Sequence, residues 1–112
     1  MKVAIVGSRD YPDLNKVQYY VESLPWDTTV ISGGARGVDT TAENAAVALR
    51  LGVEVHPADW DRLGKSAGYI RNEKMVDAAD RVVAFWDGES KGTKHSIDLA
   101  LRKRKNLEVI FP

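Results

Sequence analysis

Five short runs of apolar, largely β-branched residues alternate along this chain with stretches of helical periodicity. The runs are Val3 to Val6, Thr29 to Ile31, Val53 to Val55, Arg81 to Phe85 and Leu107 to Phe111. No other feature constrains the fold as much. Short runs rich in β-branched residues and separated by helical patterns are the signature of buried parallel strands. Between them Leu14, Val17, Val21 and Leu24 fall at helical spacing. So do Val38, Thr41, Ala42, Ala45, Ala46 and Leu49, then residues 67 to 79, then Ile97, Ala100 and Leu101.

The expected fold class is therefore α/β: a single three-layer Rossmann-like domain over residues 1–112, with about five mostly parallel strands and helices on both faces. Right-handed crossovers carry every strand-to-helix loop of such a sheet to one end. Four loops should meet there: Gly7 to Pro12, Ser32 to Asp39, Ala58 to Gly68 and Trp86 to Thr93. The second helix is lined with alanines on its inner face, which lets it lie close to the strands and brings its amino end near their tips.

The second of these loops, Ser32-Gly33-Gly34-Ala35-Arg36-Gly37-Val38-Asp39, is nearly stripped of side chains. Its glycines allow positive φ angles and close approach of a ligand, and the helix behind them points free N–H groups and a partial positive charge at the same spot. An anion such as a phosphate is the natural guest. Arg36 on the first helical turn opposes the macrodipole at a cost of about 0.3–1 kcal/mol unless an anion or a carboxylate sits nearby. Asp39 can be that carboxylate, cap the helix, or contact a ribose hydroxyl.

The other loops add compatible groups. Gly7, Ser8 and Arg9 follow directly on the first strand and form a phosphate or carboxylate contact set. Arg71 and Asn72 lie on the loop side of a helix opened by Gly68, suited to a phosphate or a base edge. Ser90, Gly92 and Thr93 begin the last helix, expected to start at Gly92-Thr93, and again aim donors at the shared cleft. The irregular piece Ala58 to Ser66 carries Trp60, which serves as a binding wall or folds back onto the core; Trp86 ends the fourth strand. Gly33, Gly34, Gly37, Gly92 and Thr93 would cradle a phosphate through backbone donors, with Ala35 in the same binding turn, Arg9, Arg36 and Arg71 would supply charge, and Asn72, Trp60 or Trp86 would meet sugar or base. Charge-assisted hydrogen bonds contribute about 1.5–3 kcal/mol each and micromolar affinity needs about 8, so two or three such bonds plus stacking suffice.

Composition narrows the partners. Sixteen Lys and Arg balance sixteen Asp and Glu, so the chain is not globally basic, and the Arg102 to Lys105 cluster suits a solvated helix end. Without cysteines, and with only His56 and His95 far apart, no disulfide, thiolate zinc site or cysteine nucleophile can form, and no metal or cofactor is expected. There is no Gly-x-Gly-x-x-Gly after the first strand and no Gly-x4-Gly-Lys-Ser/Thr anywhere, which weakens dinucleotide and P-loop readings. The chain opens on a strand, with no apolar run long enough to span a bilayer; a cytoplasmic location without a membrane partner is expected.

Read in order, Ile5-Val6-Gly7-Ser8-Arg9, then Ile31 to Asp39 with Ala42, then Arg71-Asn72, then Ser90-x-Gly92-Thr93 resembles the SLOG superfamily. This is the Rossmann-like group of DNA-processing protein A and the LOG nucleotide hydrolases, and the chain is most similar to its small YspA-like members of bacteria and phages. The resemblance implies a nucleotide-type ligand, bound as by a sensor or effector module. Its LOG branch implies N-glycosidic hydrolysis of a nucleoside monophosphate, with Arg71 matching the catalytic arginine. The position of that branch's glutamate is Ser96 here, which cannot stabilise an oxocarbenium ion or act as a base. Glu73, Glu89 or Asp98 would have to replace it, and nothing in their spacing singles one out; Glu73 stands with Arg71 as a catalytic candidate. The other branch implies single-stranded nucleic acid as the partner, through Ala35 to Asp39 and Arg71-Asn72. A homodimer that completes a shallow pocket is the expected oligomer.

Overall fold

The computed structural model describes all 112 residues. Its strands are β1 (Lys2–Gly7), β2 (Thr29–Ser32), β3 (Gly52–Val55), β4 (Arg81–Phe85) and β5 (Asn106–Ile110). Its helices are α1 (Leu14–Glu22), α2 (Val38–Ala48), α3 (Trp60–Leu63), α4 (Ala67–Ala78) and α5 (Lys91–Arg102). The strands form one sheet in the order β3-β2-β1-β4-β5, and every neighbouring pair is parallel. The α/β Rossmann-like class expected from the apolar runs is the observed one.

Strand alternation divides the core into two layers. Val3 and Ile5 of β1 face α1 and α2, meeting Val17, Val21, Val38, Ala42 and Phe85. Ala4 and Val6 face α4 and α5, meeting Ile31, Met75, Val76 and Ile97. Val3, Ala4, Ile5 and Val6 are all buried, which is why the strand reads as a continuous apolar run. Each large aliphatic side chain so buried contributes about 1.5–3 kcal/mol against the cost of ordering the chain. No helix is long and apolar enough to cross a membrane.

The chain runs outward from β1 through β2 to β3, then returns to the other side of β1 with β4 and continues outward to β5. Consecutive helices therefore leave to opposite faces on either side of the β1–β4 pair, which opens a crevice at the carboxyl ends of the strands.

Two local expectations change. Residues 58–66 are not one irregular piece but contain α3 and a 3-10 turn, Gly64–Ser66. Asp59 explains this: its carboxylate accepts the Arg62 backbone N–H at 3.3 Å and the Arg62 Nε–H at 2.9 Å, closing a helical turn. Helix α5 begins at Lys91, ahead of the expected Gly92-Thr93 start, because Ser90 is the cap and its Oγ accepts the Thr93 N–H at 3.4 Å.

Candidate functional site

A cleft of about 580 Å³ occupies the crevice, within the usual range for small-molecule sites. Of the residues singled out in the sequence, Gly7, Ser8, Arg9, Gly33, Ala35, Asp39, Trp60, Arg71, Asn72, Ser90, Gly92 and Thr93 line it. The four loops do converge. Loops one and four are tied together: the Ser8 N–H donates to the Phe85 carbonyl at 3.1 Å, and the Asp87 N–H to Ser8 Oγ at 3.3 Å.

The glycine turn holds an anion of its own. Asp39, near the start of α2, is buried and folds back so that its Oδ2 accepts the Ala35 N–H at 3.1 Å. The Gly34 N–H is directed to Ser32 Oγ at 3.3 Å, and Ser32 Oγ donates to Glu43 at 2.5 Å. Donors of the turn are thus partly satisfied within it, that of Ala35 by a carboxylate one helical turn away and that of Gly34 by the Ser32 hydroxyl. Burial pushes the Asp39 carboxyl up from 3.8 to about 6; the Ala35 bond and the Arg71 charge pull it back, while Glu43 adds to the rise.

Arg71 faces this carboxylate from α4. Its Nη1–H donates to the Gly33 carbonyl at 2.7 Å and its Nε–H to Asn72 Oδ1 at 2.9 Å, and Nη2 is left without a protein acceptor. A side-chain Cβ at Gly33 would lie 2.7 Å from Arg71 Nη1, so this glycine makes room for the guanidinium. Burial lowers the Arg71 pKa, Asp39 raises it and Arg9 lowers it, yet a guanidinium remains cationic throughout.

Because the Arg71 guanidinium can only donate, the Asn72 amide must present its oxygen to it and its NH₂ the other way. That NH₂ donates to the Gly92 carbonyl at 3.4 Å and to His95 Nδ1 at 3.3 Å, linking α4 to α5. An accepting Nδ1 requires a neutral ring, and burial indeed holds His95 below the usual histidine value. Tyr69 lies over that ring with centroids 4.3 Å apart and lines the cleft. Tyr69 was not among the sequence candidates, although it stands three residues before Asn72 and so shares its helical face.

The amino end of α5 forms the opposite wall. First-turn N–H groups of a helix have no intrahelical acceptor. Ser90 Oγ takes that of Thr93, and space around Gly92 is open, with nothing within 4 Å of where a Cβ would sit. Buried Ser96 lies behind it, its Oγ 3.5 Å from the Gly92 carbonyl. Asp10, Lys65, Asp87 and Glu89 complete the charged lining. Asp87 is held below its ordinary value by the N–H groups of Ser90 and Glu89, which it caps at 2.9 Å each.

Five candidates lie outside the cleft. Glu73 points along α4 toward Lys103, 3.9 Å away, and is exposed there. Trp86 donates its Nε1–H to the Ser90 carbonyl at 3.1 Å and packs on Phe111 with centroids 5.8 Å apart, drawn aside by β5. Arg36 extends into solvent, 3.8 Å from Asp10, so Asp39 takes Arg71 and not Arg36 as its cation. Gly34 and Gly37 serve the turn itself, at φ values of 76° and 79°. At Gly37 a Cβ would stand 2.6 Å from the Arg9 carbonyl oxygen, so this glycine lets the first two loops pass each other. Gly37→Ala should destabilise the fold by about 1–3 kcal/mol, lowering Tm by roughly 5–15 °C in a thermal melt. An unchanged Tm would show that the loops can separate freely.

Comparison with known proteins bears on this architecture. Residues 1–63 match the model of the YspA, cpYpsA-related SLOG family, YAcAr. The chain is 40% identical over 104 residues to the Gene 61 protein of Mycobacterium phage D29, covering 84% of this chain and 83% of that one. Among solved structures it is similar in fold to DNA processing protein A from Streptococcus pneumoniae, with a TM-score of 0.82 at 20% identity. It also resembles DNA processing protein A from Helicobacter pylori, whose structure is described for its single-stranded DNA binding mode, with a TM-score of 0.67 at 23% identity. These matches cover 96% and 97% of the chain but only 49% and 64% of the two longer proteins. A family match over more than half of its length and a phage relative at 40% identity place the chain in the YspA, cpYpsA-related SLOG family.

Proposed function

We propose that the cleft binds a nucleotide through its phosphate and that the protein acts as a sensor or effector module. The observation that carries this reading is Arg71. Its Nε and one Nη1 proton are fixed by Asn72 and Gly33, so the free Nη2 edge is pre-oriented in a cleft that also holds Arg9 and the start of α5. Trp60 and Tyr69 are half exposed at 51% and 49%, and each is supported from behind, Trp60 by Gly68 and Tyr69 by His95. Rigid, half-exposed rings of this kind suit stacking on a base.

Two observations speak for binding over N-glycosidic hydrolysis. Ser96 supplies no carboxylate where the LOG branch has one, and of its replacements Glu73 is directed away toward Lys103 and Asp98 pairs with Lys94, which leaves Glu89 alone in the cleft lining. Incubation with a panel of nucleoside 5′-monophosphates should raise Tm and release no free base detectable by chromatography. Absence of stabilisation by every member would overturn the binding reading, and released base would overturn its non-catalytic part.

A second reading, single-stranded DNA, is favoured by the fold likeness to the Helicobacter pylori protein. Against a long phosphate track stands the mixed lining, in which Asp10, Asp39, Asp87 and Glu89 interrupt Arg9, Lys65 and Arg71. An oligonucleotide that binds with a steep salt slope, and that mononucleotides fail to displace, would establish this alternative instead.

A further inference from the structure

We infer that a second anion pocket lies beside the first, so that the preferred ligand is phosphodiester-linked and places phosphoryl groups in both; this rests on the nucleotide reading above. A separate cavity of about 500 Å³ sits at the carboxyl end of edge strand β3. Val55, His56, Arg62, Ile70, Arg71 and Lys74 are among its walls. Arg71 belongs to both cavities, with α3 as the ridge between them: Trp60 faces the first, Arg62 and Leu63 the second.

The charge of this second cavity is positive. Arg62, Arg71 and Lys74 stand against a single carboxylate, Asp59. That carboxylate is already engaged by Arg62 through two hydrogen bonds, whereas Lys74 makes no ion pair. His56 Nε2 meets Glu54 at 2.6 Å at the cavity's edge, and that carboxylate is also paired with Lys2 at 3.0 Å. Apolar Val55, Leu63 and Ile70 complete the lining and weaken solvent screening of the cations. The first cavity differs, since its cations are matched by acids.

A mononucleotide satisfies one cavity only. A phosphodiester-linked pair of units can lay one phosphoryl group by α5 and Arg71, stack a base on Trp60 over the ridge, and set the second phosphoryl group against Lys74. A free dinucleotide and the end of a nucleic-acid strand present this same chemistry.

The test is calorimetric titration of the wild-type chain, Lys74→Ala and Lys74→Glu with thymidine 5′-monophosphate, 5′-phosphorylated thymidine dinucleotide and a thymidine oligonucleotide. Lys74 is exposed on α4, so both variants should fold, as circular dichroism would verify. The dinucleotide should bind the wild type about tenfold tighter than the mononucleotide, one charge-assisted contact being added. Lys74→Ala should remove that advantage and Lys74→Glu reverse it, with mononucleotide affinity within about twofold of wild type in both. Given that dependence on Lys74, an oligonucleotide no tighter than the dinucleotide identifies a free dinucleotide, and a tighter one identifies a strand. Mononucleotide binding with no dinucleotide advantage, or with indifferent Lys74 variants, overturns the second pocket alone. Failure of all three ligands overturns the nucleotide reading and this inference together.

Discussion

Arg71→Ala is expected to remove between about half and nearly all of the nucleotide-induced thermal stabilisation while leaving a folded protein. Ligand at a hundred times Kd stabilises the native state by about 2.7 kcal/mol, which corresponds to roughly 10 °C or more in a domain of this size. Loss of the guanidinium forfeits about 1.5–3 kcal/mol of charge-assisted bonding, a ten- to hundredfold fall in affinity. At the same ligand concentration the shift should then shrink to about 2 °C if the fall is hundredfold. The unliganded variant also loses the bonds to the Gly33 carbonyl and Asn72 Oδ1. It leaves Asp39 without the cation that lowers its pKa, so that carboxyl should titrate still higher. The stability loss should therefore be moderate, about 1–2 kcal/mol, and larger at pH 8 than at pH 5. Differential scanning fluorimetry with and without a mononucleotide measures both effects. An undiminished ligand shift would remove Arg71 from the site.

What the sequence discloses about this protein depends on how local the deciding physics is. Strand identity is local: the runs of β1, β2 and β4 are covered on both faces, the edge runs of β3 and β5 are only partly covered, and all five appear as strands within one residue of the expected bounds. Strand order is not. Nothing around Trp86 says that β5 will lie beside β4, yet that neighbour supplies Phe111 and draws the indole out of the cleft. The glycine turn divides in the same way. Its need for positive φ is readable from Gly34 and Gly37, and both adopt it. Its occupant is a tertiary matter, decided when α4 places Arg71 against the Gly33 carbonyl and fixes a cation facing Asp39. Helical phase carries some of the rest. Tyr69 follows from Asn72 by its spacing of three, and Glu73 belongs with Asp77 on the side that meets Lys103. Lys65 sits in a 3-10 turn where neither period applies, so its direction is set only by how Asp59 folds α3.

Asp39 gives the fold a pH dependence of unusual sign for a carboxylate. Its folded value is about 6 against an ordinary 3.8, so between these values the folded chain holds a proton that the unfolded chain has released. Stability then falls as pH rises, since the slope of unfolding free energy with pH follows the protons bound by the unfolded minus the native state. Relative to Asp39→Asn, which cannot titrate, the wild type should gain about 2–3 kcal/mol on going from pH 7 to pH 4. Urea unfolding of both proteins across that range checks this. Taking the difference cancels Glu54, Asp59 and Asp87, whose lowered pKa values act in the opposite sense by withdrawing stability in acid. A flat difference would show that folding leaves the Asp39 pKa at its ordinary value. The same proton reaches the ligand through Arg71. When Asp39 is ionised it neutralises part of the charge that an incoming phosphate needs, and when protonated it releases that charge. Affinity for a phosphodiester, whose own charge is constant over this range, should therefore rise as pH falls through about 6 in the wild type and stay level in Asp39→Asn. Equal pH profiles for the two proteins would break the link between the glycine turn's internal carboxylate and the anion the cleft receives.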